Sequence, residues 1–187
     1  GAFAIDDVVA EICDKLVRRH PHVFGDAQVG DSKAVLQQWE EIKAQEKVGA
    51  KAGRTLSGVI AALPALARAQ KLGSKAGRVG FDWGGWEGSL DKVIEETGEI
   101  REVAAAGAGG DAAHHEIGDL LFAVVNLARK LDVDAESALH DASVRFTRRF
   151  EFIEDRLAEG GRQPADSNLE EMDALWNAAK AAGIGTR

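Results

Sequence analysis

The sequence has one cysteine, three prolines and no tyrosine among its 187 residues. The lone cysteine, Cys13, has no partner for an intramolecular disulfide, so a reducing, cytoplasmic location is expected. Its place on an apolar stripe predicts a small core residue. The longest apolar run, Leu120 to Val125, is far shorter than the roughly 20 residues of a transmembrane helix. The opening residues show no signal-peptide pattern, and no membrane partner is expected.

The charge balance is acidic, with 23 basic and 31 acidic residues and a net charge of −8. Such a surface is poorly suited to the many phosphate contacts of duplex binding, so nucleic acid is not expected as a partner. The 45% share of hydrophobic residues is typical of a globular chain and excludes wholesale disorder.

Apolar residues recur every three or four positions in several segments, and no stretch alternates long enough to predict a strand. This pattern predicts an all-α fold, a helical bundle. The predicted helices cover about residues 5–18, 32–47, 56–77, 87–105, 112–131, 135–158 and 168–182.

Polar and glycine-rich positions mark where these helices begin and end. Asp134 is a predicted N-cap, and Asn168 with Glu171 three residues later resembles a capping box. Residues Gly25 to Asp31 are predicted to form a surface loop. The polar stretch from Gly49 to Gly58 is the candidate domain boundary.

Acidic residues are concentrated on two consecutive predicted helices. Glu95, Glu96 and Glu99 form one motif, and Glu116 with Asp119 forms the other. Spacings of three and four put the members of each motif on one helix face. The second helix is apolar on nearly all sides after its acids, which predicts that it is largely buried. Buried carboxylates must be paired or bound to a cation, because an isolated buried charge is costly.

The two motifs together favour a metal site. The helices are joined by a short connection, so they are expected to be antiparallel neighbours that bring the acids together. Oxygen ligands without cysteine or histidine partners favour Mg²⁺, with Mn²⁺ as a substitute. Alone, the Glu95–Glu99 motif is more often a solvated face.

Several other residues allow two interpretations each. Lys92, Arg145, Arg148 and Arg149 either hold phosphate oxygens opposite a metal or are solvated and paired with nearby acids. Trp176 has the helical spacing of a core residue, although it could stack on a base. His114 and His115 lack a metal-ligand spacing, so both substrate contact and simple exposure remain open.

Taken in order, five motifs resemble the MazG nucleoside triphosphate pyrophosphohydrolases. They are Val79–Trp83, Lys92–Glu99, Glu116–Arg129, Arg145–Phe150 and Leu169–Trp176. Residues Lys15 to Phe24 also resemble MazG, at the end of its first repeat. Accordingly, residues 1–48 are expected to be the rear of a first repeat, 49–58 a linker and 59–187 a complete catalytic domain.

The resemblance implies a dimeric, Mg²⁺-dependent enzyme that hydrolyses nucleoside triphosphates to monophosphate and pyrophosphate. The positions that match metal ligands are Glu96, Glu99, Glu116 and Asp119. Those that match nucleotide contacts are Lys92, Glu95, His114, His115, Arg145, Arg148, Arg149 and Trp176. Glu95 and Glu96 carry the expected catalytic roles, with Glu95 the candidate general base.

Two other functions are compatible with the sequence. One is an all-α pyrophosphohydrolase of narrow specificity, for dUTP or phosphoribosyl-ATP. The other is a helical dimer module that binds nucleotide without hydrolysing it, although the complete set of acids argues for the enzyme.

Overall fold

A computed structural model of the chain describes residues 4–25, 35, 42, 54–107 and 109–186. It divides into two compact units, Gly1–Ser57 and Gly58–Arg187. Most of the predicted helix at residues 32–47 lies outside the described residues, as do residues 26–31 of the predicted loop and part of the 49–58 stretch.

The described part of the first unit consists of two helices. Helix α1 spans Ile5–Arg19, and a single turn, α2, spans Pro21–Phe24. The predicted helix at 5–18 is therefore confirmed, whereas α2 was not predicted because one turn is too short for apolar periodicity to register. Cys13 is exposed, so its prediction as a core residue is wrong. Periodicity identifies the apolar stripe of a helix but not what covers it.

The second unit is built from longer helices. They are α3 (Ala65–Gly77), α4 (Trp86–Ala105), α5 (Asp111–Lys130), α6 (Ala135–Ala158) and α7 (Leu169–Ala181), with a 3₁₀ turn at Pro164–Asp166. The described residues contain no strand, which confirms the all-α prediction. Within the described part of the chain, no helix is long and apolar enough to cross a membrane.

The ends of these helices follow local side-chain chemistry. The Asp134 side chain accepts from Ser137 N at 2.8 Å, and that of Asn168 accepts from Glu171 N at 2.9 Å, as predicted. The Glu171 carboxylate does not complete a capping box, since it binds Ser167 and Arg162 instead. Arg162 and Ser167 lower the pKa of Glu171 to about 2.

The predicted helix at 56–77 begins later than expected, at Ala65. Pro64 is its N-cap, with an extended ψ of 147°. Proline has no N–H to donate and disfavours helical geometry at the residue before it, so the apolar residues upstream cannot join the helix.

Two helix pairs organise the second unit. Helix α4 packs along α5, α6 packs on α7, and α3 bridges the pairs through contacts with α5 and α6. The core is formed by Ala123, Val125, Ala135, Ile153, Leu157 and Ala179. Helix α3 approaches α5 closely at Gly73, where an added Cβ would lie 2.3 Å from Asn126 Oδ1.

An ion pair fixes the segment before α4 to the end of α5. Asp82 receives two hydrogen bonds from Arg129, at 2.7 and 2.9 Å, and lies 2.8 Å from Lys130 Nζ. Lys130 also donates to the Trp83 carbonyl. These contacts place the start of α4 beside the end of α5, so the two helices are antiparallel.

Candidate functional site

Three carboxylates meet where α4 faces the first turns of α5. Glu96 lies on α4, whereas Glu116 and Asp119 lie on α5. One carboxylate oxygen of each residue lies within 4.8 Å of those of the other two. The i,i+3 spacing on α5 directs Glu116 and Asp119 to the same side of that helix. The structure thus brings together three of the four predicted metal ligands. We call these three residues the acid cluster.

Glu96 is the innermost member of the acid cluster. It is 3% exposed, and its Oε1 lies 2.6 Å from Lys92 Nζ. Its second oxygen, Oε2, is buried without a hydrogen-bond partner. The ammonium of Lys92 lowers the pKa of Glu96, so this carboxyl is ionised although it is buried. An ionised buried oxygen without a partner is costly unless a cation or donor reaches it.

The acid cluster therefore fits a hard divalent cation. It offers carboxylate oxygens only, which suits Mg²⁺ or Mn²⁺ better than zinc. The unsatisfied Glu96 Oε2 and the mutual repulsion of the acids would both be relieved by such an ion. Three protein ligands leave room for water and substrate oxygens, as Mg²⁺ usually requires.

The fourth predicted ligand, Glu99, lies beside the cluster but is not one of its three members. It is exposed, one helical turn beyond Glu96. Its pKa is raised by its contact with the Glu96 carboxylate and by the charge of Glu116. Both neighbouring carboxylates thus favour the neutral form of Glu99.

Glu95, the predicted base, lies at the exposed edge of the same helix face. Its side chain is 57% exposed and its Oε1 accepts from Lys92 Nζ at 2.8 Å. Lys92 thus bridges Glu95 and Glu96, and the two carboxylates raise its pKa above the usual range. The lysine remains charged at neutral pH.

The two histidines at the start of α5 differ in their contacts. His115 Nε2 lies 3.5 Å from Asp119 Oδ2, although the imidazole is 79% exposed. His114 is exposed. Of the pair, His115 therefore touches the acid cluster.

A second group of predicted site residues lies on the other helix pair. The Trp176 indole on α7 is 5.2 Å from the Phe146 ring, and the Arg149 guanidinium lies 5.5 Å from the indole centroid. Arg149 Nε also donates to the Ile184 carbonyl at 3.1 Å. These contacts hold Trp176 at the surface of α6 and α7, partly exposed rather than in the core.

An apolar groove of about 270 Å³ adjoins Trp176. It is lined by Phe146, Phe150, Ile153, Leu169, Met172, Asp173 and Trp176. The sequence interpretation did not identify this groove, although the i,i+4 spacing of Phe146 and Phe150 could have indicated an aromatic face. Arg145 and Arg148 are exposed on α6. The predicted site residues are therefore divided between α4–α5, which carries the acids, and α6–α7, which carries the aromatic and guanidinium groups.

Comparison with known proteins identifies relatives over nearly the whole chain. A family model described as the MazG nucleotide pyrophosphohydrolase domain matches residues 1–24. A nucleoside triphosphate pyrophosphohydrolase of Escherichia coli K12 is 42% identical over 185 residues, which is 98% of this chain and 70% of the relative.

Two further relatives extend this result. A nucleoside triphosphate pyrophosphohydrolase/pyrophosphatase MazG of Thermotoga maritima is 41% identical over 96% of this chain and 67% of its own length. The uncharacterized protein YabN of Bacillus subtilis is 44% identical over 96% of the chain but only 37% of its own length. The chain therefore belongs to the MazG family of nucleoside triphosphate pyrophosphohydrolases.

Proposed function

We propose that this protein hydrolyses nucleoside triphosphates to nucleoside monophosphate and pyrophosphate, with a divalent metal ion held by Glu96, Glu116 and Asp119. The observation that carries the proposal is the convergence of these three carboxylates within 4.8 Å, with Glu96 Oε2 buried and unsatisfied. Membership in the pyrophosphohydrolase family supports the reaction. Mg²⁺ is the proposed ion, with Mn²⁺ as a substitute.

In the proposed mechanism, attack takes place at the α-phosphorus. A bound divalent ion supplies charge stabilisation at the phosphate and lowers the pKa of water. Glu95 orients the attacking water and accepts its proton, because it is exposed and shares the Lys92 ammonium with Glu96 at the edge of the cluster. Glu99 completes the acidic face as a proposed fourth ligand.

The positively charged side chains and the apolar groove are proposed to bind the nucleotide. Lys92 would balance the charge that develops on the pyrophosphate leaving group, and Arg145, Arg148 and Arg149 are proposed to hold phosphate oxygens. Trp176 offers an indole face for the base. His114 and His115 are proposed substrate contacts at the start of α5.

Product analysis tests this function directly. We would incubate the chain with each ribo- and deoxyribonucleoside triphosphate, with and without Mg²⁺, and separate the products. Monophosphate and pyrophosphate formed only with metal are the expected result. Diphosphate and phosphate as products would contradict it, and activity confined to dUTP would favour the narrow-specificity alternative. Nucleotide binding without turnover would favour a non-catalytic module.

We also propose that the chain acts as a homodimer in the cytoplasm. The acid-bearing helices expose apolar side chains along their length, notably Ile94, Ile117, Leu121, Phe122 and Val124. The prediction that α5 is largely buried is thus wrong for the single chain, in which Leu121 is 49% exposed. Ile117, Leu121 and Val124 have the spacing of one helix face, and an exposed apolar helix face is typical of a subunit interface.

Substitution of Leu121 tests the dimer. Leu121→Glu places a charge in the proposed interface, so it is expected to shift the protein from dimer to monomer in sedimentation velocity experiments. Leu139→Glu, at a comparably exposed position on α6, is the matched control and should leave the dimer intact. A wild-type chain that sediments as a monomer would refute the proposal.

A further inference from the structure

We propose that Lys92 is the resident counter-ion of the acid cluster, and that binding of the divalent ion displaces its ammonium from Glu96. This inference rests on the proposed metal site and concerns what the protein does before the ion arrives. In the metal-free chain, Lys92 would neutralise and hold the buried Glu96 carboxylate. This function is additional to its proposed contact with phosphate.

The contacts of Lys92 support this assignment. Its Nζ lies 2.6 Å from Glu96 Oε1 and 2.8 Å from Glu95 Oε1. The Glu96 side chain is 4% exposed, whereas that of Glu95 is 57% exposed. The same ammonium therefore touches a deeply buried carboxylate and a solvated one. When its bond to Glu96 breaks, it still has Glu95 and water as partners.

The charge balance explains why the exchange occurs. One ammonium cannot compensate three carboxylates whose oxygens lie within 4.8 Å, and it leaves Glu96 Oε2 unsatisfied. A divalent ion supplies twice the charge and can reach the unsatisfied oxygen. The ion and the ammonium repel each other when both lie next to Glu96, so each weakens the binding of the other. Lys92 is then released from Glu96 when the ion binds, and its ammonium becomes available to a phosphate oxygen of the nucleotide.

Mn²⁺ binding without nucleotide tests the exchange. In Lys92→Met the hydrophobic stem is kept and the competing charge is removed, so we expect Mn²⁺ to bind about tenfold more tightly by titration calorimetry. Lys92→Arg keeps the charge and should bind Mn²⁺ as the wild type does. Lys71→Met, which removes an exposed charge on α3, is the control for a general change in net charge.

Thermal unfolding gives a second readout. Without metal, Lys92→Met is expected to unfold at a lower temperature than the wild type because Glu96 loses its partner. Added Mn²⁺ should raise its Tm by more than it raises that of the wild type, because the ion takes over the missing charge. A lysine with a purely structural function would lower the Tm without changing the shift that Mn²⁺ produces.

The outcomes separate this inference from the proposed function. If the wild type binds Mn²⁺ and Lys92→Met binds it equally or more weakly, the counter-ion proposal is wrong and the metal site stands. If the wild type does not bind Mn²⁺, or if Glu96→Gln binds it as the wild type does, the proposed metal site fails and the inference fails with it.

Discussion

Glu96→Gln is expected to lower kcat for nucleoside triphosphate hydrolysis by at least about a thousandfold, which corresponds to roughly 4 kcal/mol of transition-state stabilisation. The amide keeps the shape of the side chain but removes the negative charge at the centre of the acid cluster. Turnover of a nucleoside triphosphate with saturating Mg²⁺, measured by release of pyrophosphate, gives the result. Asp119→Asn is expected to show a similar loss.

The fold should survive the Glu96 substitution. The amide loses the attraction of Lys92, which lowers the Tm, but Lys92 keeps Glu95 as a partner, so the circular dichroism spectrum should remain that of a folded helical protein. Glu102→Gln is the matched control, since it makes the same change at an exposed position later in α4. Full activity in both Glu96→Gln and Asp119→Asn would show that the chemistry takes place elsewhere.

Asp82→Asn is expected to have the largest effect on stability, lowering the free energy of unfolding by roughly 2–3 kcal/mol at pH 7. The side chains of Asp82, Arg129 and Lys130 are 19, 16 and 15% exposed, so two cations would be left with little solvent when the carboxylate is neutralised. For a domain of this size the change corresponds to a decrease in Tm of roughly 5–10 °C. Thermal unfolding followed by circular dichroism measures it.

The same ion pair predicts a pH dependence. Hydrogen bonds from Arg129 and Lys130 lower the pKa of Asp82 well below its usual range. A carboxyl with a lowered folded-state pKa contributes its full stabilisation above the unfolded pKa of about 4, and loses it as the pH falls toward the lowered value. The difference in stability between wild type and Asp82→Asn should therefore be constant near neutrality and shrink below about pH 4. Asp91→Asn, at an exposed position on α4, should show neither effect.

Local patterns predicted the features of the fold that depend on neighbours in sequence. The caps at Asp134 and Asn168 need only a backbone N–H three residues away, and both form as expected. The apolar pattern predicts too early a start for α3 because it takes no account of the proline at position 64, which ends the upstream segment. The sequence does contain the local signal for the later start, which is Pro64.

Contacts between distant residues could not be predicted in this way. Asp82 and Arg129 are separated by 47 positions, and no spacing rule connects them. The convergence of Glu96 with Glu116 and Asp119 was predicted because a short connection forces the two helices together. The position of Trp176 relative to those acids had no such constraint, and the structure places it on a different helix pair. Exposure of Leu121 and Cys13 was missed because a sequence pattern reports polarity, whereas burial depends on the partner surface.

The acid cluster lies entirely on one helical hairpin, formed by α4 and α5, and this has a consequence for folding. Its residues are brought together by closing a loop of only a few residues, at Gly107 and Gly110, both of which adopt positive φ. Loops this short close in roughly 10–100 ns, and contacts between sequence neighbours favour rapid folding. The carboxylates can therefore meet before α6 and α7 dock. A divalent ion present during synthesis could bind this hairpin early and lower its free energy before the apolar groove beside Trp176 exists.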